Sequence, residues 1–221
     1  FIGVVILGKY SNYTTIMTSM VGVITLFFTP LTSIIGHLCV KGDTEEIKKY
    51  FNFFYTFNLV LGVIFFLGYY AIIDDLINIC FNNNIEMKKT VSMVITINYF
   101  IQFMRQATLL FRDATGLFFY DRWKPLFEGI VNIILSILFV YLFTYLFGED
   151  FAVVGVIFAT IITNIFICHI VEPHILFKYE FNTKTTKYYI KNYLGIITFI
   201  VALFFLNKVM IKIDNIYVEL I

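Results

Sequence analysis

Residues 126–171 read LFEGIVNIILSILFVYLFTYLFGEDFAVVGVIFATIITNIFICHIV. Two apolar runs, 126–147 and 151–171, are separated only by Gly148, Glu149 and Asp150. A spanning helix needs about 20 mostly apolar residues, and each run is that long. A transmembrane β-barrel would instead show short segments of alternating polarity. Three residues leave room only for a reversal, so the two runs are expected to be neighbouring antiparallel helices.

The rest of the chain agrees with that class. It is 60% hydrophobic and 14% charged with a mean hydropathy of +0.85, more apolar surface than a soluble domain of 221 residues can hide. Further apolar runs fall at 14–40, 51–73, 90–111 and 190–208, after a partial run at 1–8 with no charged segment ahead of it. The expectation is an all-α polytopic transmembrane bundle of about six full spans plus a partial first helix. It forms a single transmembrane domain over 1–221, and the chain reads as starting inside a helix rather than with a signal peptide. Cys39, Cys80 and Cys168 are too scattered for a disulfide framework or a zinc site and read as buried small hydrophobes. A net charge of +1 gives no reason to expect a nucleic-acid partner.

The connections are short. Gly42 followed by Asp43 and Glu46 resembles a helix stop and a capping box, and Pro125 suits a first helical turn. Lys41, Lys48, Lys49, Arg112, Arg122, Lys124, Lys178, Lys184 and Lys187 fall on one side of the expected topology. Lys9, Lys88, Lys89, Lys208 and Lys212 fall on the other. The positive-inside rule makes the first side cytoplasmic, with loops 41–50, 112–125 and 172–189. Lys184, Lys187 and Lys191 recur at helical spacing, as in a turn lying on anionic headgroups. The pairs Tyr69–Tyr70 and Tyr188–Tyr189 are expected at the interfaces.

Polar residues inside the spans recur on helical faces. Asn98, Gln102, Arg105 and Arg112 share one face of a continuous helix. A charge at mid-span costs roughly 2.5–3.5 kcal/mol on insertion scales, so Arg105 needs a reason. It faces a polar cavity and an anionic substrate, or pairs with Glu128, or snorkels to the interface. The guanidinium suits a phosphate because it donates two parallel hydrogen bonds. Glu128, Asn132 and Ser136 line up on the fourth span, and Thr160 and Asn164 on the fifth. Thr18, Gly22, Thr25, Thr29 and Ser33 form a row on the first, which reads as close helix packing more readily than as a substrate path. Pro30 should kink that helix.

Residues 111–128, FRDATGLFFYDRWKPLFE, concentrate charge between two spans. Asp113, Asp121, Arg122, Lys124 and Glu128 there are either a cytoplasmic turn that balances its own charges or a gate at the cytoplasmic mouth. Other chemistry is not encoded. HIVEPH at 169–174 misses zinc-protease spacing by one residue, and Pro173 should break its helix. Asp74 and Asp75 are neighbours in sequence and point apart on a helix, so they read as a solvated helix end. No P-loop or nucleophile elbow is present. A non-enzymatic membrane protein without metal or cofactor is expected.

FRDATGLFFYDRWKPLFEGIVNIILSI, GVIFATIITNI, EPHILFKYEF, LGKYSNY and LTSIIGHL together resemble the bacterial polysaccharide flippases of the multidrug/oligosaccharidyl-lipid/polysaccharide exporter superfamily, over about residues 1–181. The resemblance implies one lobe, the C-terminal one, of a two-lobe transporter in a bacterial plasma membrane. Its substrate would be an oligosaccharide linked through pyrophosphate to a polyprenyl lipid, with membrane lipids and other polysaccharide-assembly proteins as partners. A multidrug exporter of the same superfamily and a membrane polysaccharide polymerase are the alternatives. The short outer loops weigh against the polymerase, and the shortage of central carboxylates in the sequence weighs against the drug exporter.

Overall fold

The computed structural model describes residues 3–41, 44–81 and 86–219. Eight α-helices account for most of them: α1 Val4–Lys41, α2 Thr44–Phe81, α3 Lys89–Phe103, α4 Gln106–Ala114, α5 Lys124–Phe147, α6 Ala152–Thr163, α7 His169–Tyr179 and α8 Thr186–Glu219. Among the described residues there is no β-strand. Five helical stretches are long and apolar enough to cross a membrane: Val4–Val40, Thr44–Phe81, Lys124–Phe147, Glu149–Tyr179 and Thr186–Lys212. The protein is therefore a multi-pass α-helical membrane protein. The expected stop at Gly42 and cap at Asp43, and the start of the partial run at Phe1, lie outside the described residues.

Three span boundaries differ from the sequence expectation. The runs at 1–8 and 14–40 are one helix, α1, which continues through the polar segment between them and through Pro30. The polar groups of that segment find partners without unwinding the chain. Tyr13 Oη donates to Asp74 at 2.9 Å, and Thr14 Oγ1 donates to the Tyr10 carbonyl of its own helix at 3.1 Å. Asp74 is accordingly bonded within the bundle rather than a free helix end. At 38 residues each, α1 and α2 run to about 57 Å, nearly twice the hydrocarbon thickness.

The second difference is the third span, which is not continuous. It divides at Met104–Arg105 into α3 and α4. The third is the fifth span, which runs past 171 to Tyr179, so the expected loop at 172–189 shrinks to residues 180–185. Within it, Asn164–Cys168 form a π turn, one residue wider than an α turn, and Pro173 lies inside α7 without ending it. The Pro173 ring crowds the carbonyl of the residue four before it, His169. The wide turn ends at that residue and takes up the distortion there.

The helix ends gather as the expected alternation requires. Lys88 Nζ lies 3.1 Å from Asp150 Oδ2, and Lys9 Nζ donates to the Glu86 carbonyl at 3.3 Å. These contacts bring the first turns of α1, the approach to α3 and the α5–α6 joint to one end. At the other end the Tyr120 and Tyr179 rings stack with centroids 4.0 Å apart, and Gly36 closes on the Ala114 carbonyl.

The interrupted pair α3–α4 is central and packs against α1, α2, α6, α7 and α8. Aromatic rings fill the spaces around it. Phe51 meets Phe111, Phe177, Phe181 and Tyr188, and Phe66 meets Phe100, Phe103 and Phe199. Tyr69, Tyr70 and Tyr188 belong to this buried core rather than to an interfacial belt. Their hydroxyls have partners there, Tyr70 Oη donating to Asn207 Oδ1 at 2.7 Å. Phe118, Phe119, Tyr120 and Trp123 in the α4–α5 turn are instead exposed together. Of the cysteines only Cys168 is buried, and Cys80 is exposed.

Helix α5 is peripheral and packs chiefly on α6, as the three-residue joint implies. Gly148 adopts φ +91° in that joint, a conformation open to glycine. At Gly155 the helices touch so closely that a Cβ would stand 2.5 Å from the Phe139 carbonyl oxygen. The row of small residues on α1 does not perform this function. Thr18, Thr29 and Ser33 are exposed, and a Cβ at Gly22 would meet nothing within 4 Å.

Candidate functional site

The break between α3 and α4 is held open by side chains. Arg105 N–H bonds to the Gln102 carbonyl at 3.2 Å instead of reaching back to Ile101. The Ile101 carbonyl is thereby freed, and His169 Nε2 donates to it at 2.9 Å. A carbonyl can only accept, so the proton sits on Nε2 and Nδ1 is an acceptor. Asn192 Nδ2 fills that role at 3.0 Å, and Tyr55 Oη donates to Asn192 Oδ1 at 3.2 Å. On the other side, Asn58 Nδ2 donates to the Phe103 carbonyl at 3.1 Å. His169, Asn192 and Asn58 are all fully or almost fully buried. Residues of α2, α7 and α8 thus supply the partners that an interrupted helix lacks.

Arg105 stands at this break and reaches across to the fifth span. Its Nε and Nη2 donate to the two Glu172 oxygens at 3.0 and 2.5 Å, and its Nη1 donates to Asn164 Oδ1 at 2.7 Å. Asn164 is the first residue of the π turn. Lys124, at the start of α5, approaches from the turn side. Its Nζ lies 2.6 Å from Glu172 Oε1 and 2.8 Å from Glu128 Oε2. Two cations and two carboxylates therefore balance around Glu172, whose side chain is 1% exposed. The cluster lies about 10 Å inside the end of α7 at 1.5 Å per residue.

The sequence placed most of these groups but paired them differently. Arg105 binds Glu172, not Glu128, and in the sequence Glu172 stands out only within the HIVEPH spacing. The pairing spans 67 residues of chain and has no local signal. Arg105 also does not extend a polar stripe from Asn98 and Gln102, because the break at 104–105 resets the register. Asn98 is buried in α3 with its Oδ1 unpartnered, and Gln102 is half-buried. Asn132 and Asn164 meet on Thr160, whose carbonyl accepts from Asn164 Nδ2 at 3.0 Å. Asn132 Nδ2 donates to Thr160 Oγ1 at 3.3 Å, and Ser136 Oγ donates to Asn132 Oδ1 at 3.5 Å. The rows on α5 and α6 therefore face each other and carry the polar seam deeper from Glu128.

The charged stretch at 111–128 separates into three parts. Arg112 binds Asp113 Oδ1 through Nε and Nη2 at 3.0 and 2.8 Å, and Asp121 Oδ2 through Nη1 at 2.6 Å, closing the turn between α4 and α5. Burial works to lower the pKa of the Arg112 guanidinium, but the hydrogen bond to Asp113 and the two carboxylates outweigh it and raise it. Lys124 and Glu128 belong to the inner cluster. Arg122 joins neither, and lies exposed over the Phe119 ring, 4.5 Å from its centroid. Asp121 and Lys124 are both buried. The turn and the inner cluster are thus adjacent ionic layers, the first closing a loop and the second joining three spans. Among the described residues no group of His, Cys, Asp and Glu is arranged to hold a metal ion. Comparison with family models, curated proteins and solved structures finds no match to this chain.

Proposed function

We propose that this chain is the C-terminal lobe of a lipid-linked oligosaccharide flippase of a bacterial cell membrane. It carries polyprenyl-pyrophosphate-linked repeat units from the cytoplasmic to the outer leaflet for surface polysaccharide synthesis. The observation that supports transport is the meeting of two helical interruptions, at 104–105 and at 164–168, on one buried charge cluster. Interrupted helices around charged groups mark substrate and ion sites in transporters, and ionisable groups inside a membrane are functional by default. The oligosaccharide substrate comes from the sequence resemblance. In this reading Arg105 exchanges its Glu172 partner for a substrate phosphate during one part of the cycle, and the lobes rock around it.

Deletion of the parent gene should leave complete sugar-linked polyprenyl lipids in the cytoplasmic leaflet. Return of the wild-type gene should clear them, and return of Arg105→Gln should not. Repeat units that reach the outer leaflet and stay unpolymerised would instead identify a polymerase. Glu172 favours a second reading, because a deeply buried carboxylate is what an ion-coupled drug exporter of the same superfamily would use. That reading requires drug sensitivity in the deletion strain with normal polysaccharide.

A further inference from the structure

A cleft of about 440 Å³ runs between α2 and α8, within the two spans Thr44–Phe81 and Thr186–Lys212. Its size falls in the range of ligand clefts. Its floor is where Gly195 lets α8 approach α2, a Cβ there standing 3.0 Å from Leu59 Cδ1. Its walls are apolar and open outward from the bundle, with Val60, Ile64 and Leu194 each more than half exposed. Thr198 adds no polarity, because its hydroxyl donates to the Leu194 carbonyl of its own helix at 2.8 Å.

One end of the cleft carries a cation. Lys191 Nζ donates to Thr56 Oγ1 at 2.7 Å and lies 5.0 Å from the centre of the Tyr55 ring. Among the described residues it has no carboxylate in ionic contact, in contrast to Arg105, Arg112 and Lys124. An ammonium has three donors, and Thr56 takes one. An apolar trough that ends in an uncompensated cation is complementary to a lipid with a negative head and a hydrocarbon tail.

We propose that this cleft is a site for an anionic glycerophospholipid, whose phosphodiester sits on Lys191 and whose acyl chain lies along α2 and α8 towards Thr198. A single lysine matches a single phosphodiester charge. A pyrophosphate would bring more charge than one ammonium balances, and a zwitterionic lipid would bring its own cation against Lys191. The site is separate from the Arg105–Glu172 cluster and does not depend on the transport reading.

The test is a native mass-spectrometric titration of the purified full chain in detergent with phosphatidylglycerol and, separately, phosphatidylcholine. One lysine near the membrane surface corresponds to a preference of roughly fivefold for the anionic lipid. Lys191→Met should abolish that preference by lowering phosphatidylglycerol binding to the level of phosphatidylcholine, and Val60→Phe should weaken both lipids by filling the trough. Equal binding of the two lipids to the wild-type chain, or a preference that survives in Lys191→Met, would overturn the proposal. So would displacement of phosphatidylglycerol by polyprenyl pyrophosphate at concentrations where the reverse exchange fails, since the cleft would then belong to a transported lipid.

Discussion

Replacing Glu172 would leave two cations facing an apolar interior. Arg105 would keep only Asn164, and Lys124 only Glu128. Removing one partner of a buried pair costs about 3–5 kcal/mol, mostly because the other charge stays behind. Glu172→Leu should therefore lower thermal stability in detergent by an amount of that order. Glu128→Gln, at a side chain 28% exposed, should cost about 1 kcal/mol or less. Equal effects of the two substitutions would show that Glu172 is not the hub. A combined Arg105→Met and Glu172→Leu chain should recover part of the loss, since an ion pair replaced whole by apolar groups is often tolerated. At this scale the sequence was partly legible. It showed which residues were out of place in a membrane, Arg105 and Asn164 among them. It did not show that Arg105 would meet Glu172, because no spacing rule connects residues on different spans.

The informative elements are the ones that depart from ideal helices. The run 90–111 reads as one span because nothing at Met104–Arg105 is a helix breaker. The break has tertiary causes, the side chains of Asn58 and His169 that take the carbonyls of Phe103 and Ile101. Pro173 is the converse, a residue that breaks helices by local rules and yet sits inside α7 below a widened turn. Local geometry is legible in the sequence: the Gly148–Asp150 joint places α5 and α6 side by side, and Pro125 lies in the first turn of α5. His169→Leu should leave the Ile101 carbonyl and Asn192 Nδ2 without partners. The expected loss is about 1–3 kcal/mol for each buried group stranded. Hydrogen exchange should accelerate most at the amides of 102–108. Unchanged protection across the break would mean that His169 only fills space.

For the whole molecule, the end that carries Lys88 and Asp150 must lie across the membrane from the end that carries Arg122 and Lys184. Single cysteines at 88 and 150, in a chain cleared of its native cysteines, should react with an impermeant maleimide from one face. Cysteines at 122 and 184 should react from the other. Labelling of 88 and 122 from the same face would refute the alternation. The gathering of helix ends at two poles was legible from the apolar runs, whereas the central position of α3–α4 was not. Its centrality also orders events during synthesis. The break divides the segment 89–114 into helices of 15 and nine residues, each too short to cross the hydrocarbon alone. Its stabilising partners His169 and Glu172 are made more than fifty residues later. A nascent chain stopped before 164 should therefore fail to retain 89–114 in the bilayer, as read by a glycosylation tag placed after it, and one extended beyond 192 should retain it. Retention that depends on these later spans would make the middle of the protein the last part to settle, after residues far beyond it have been translated.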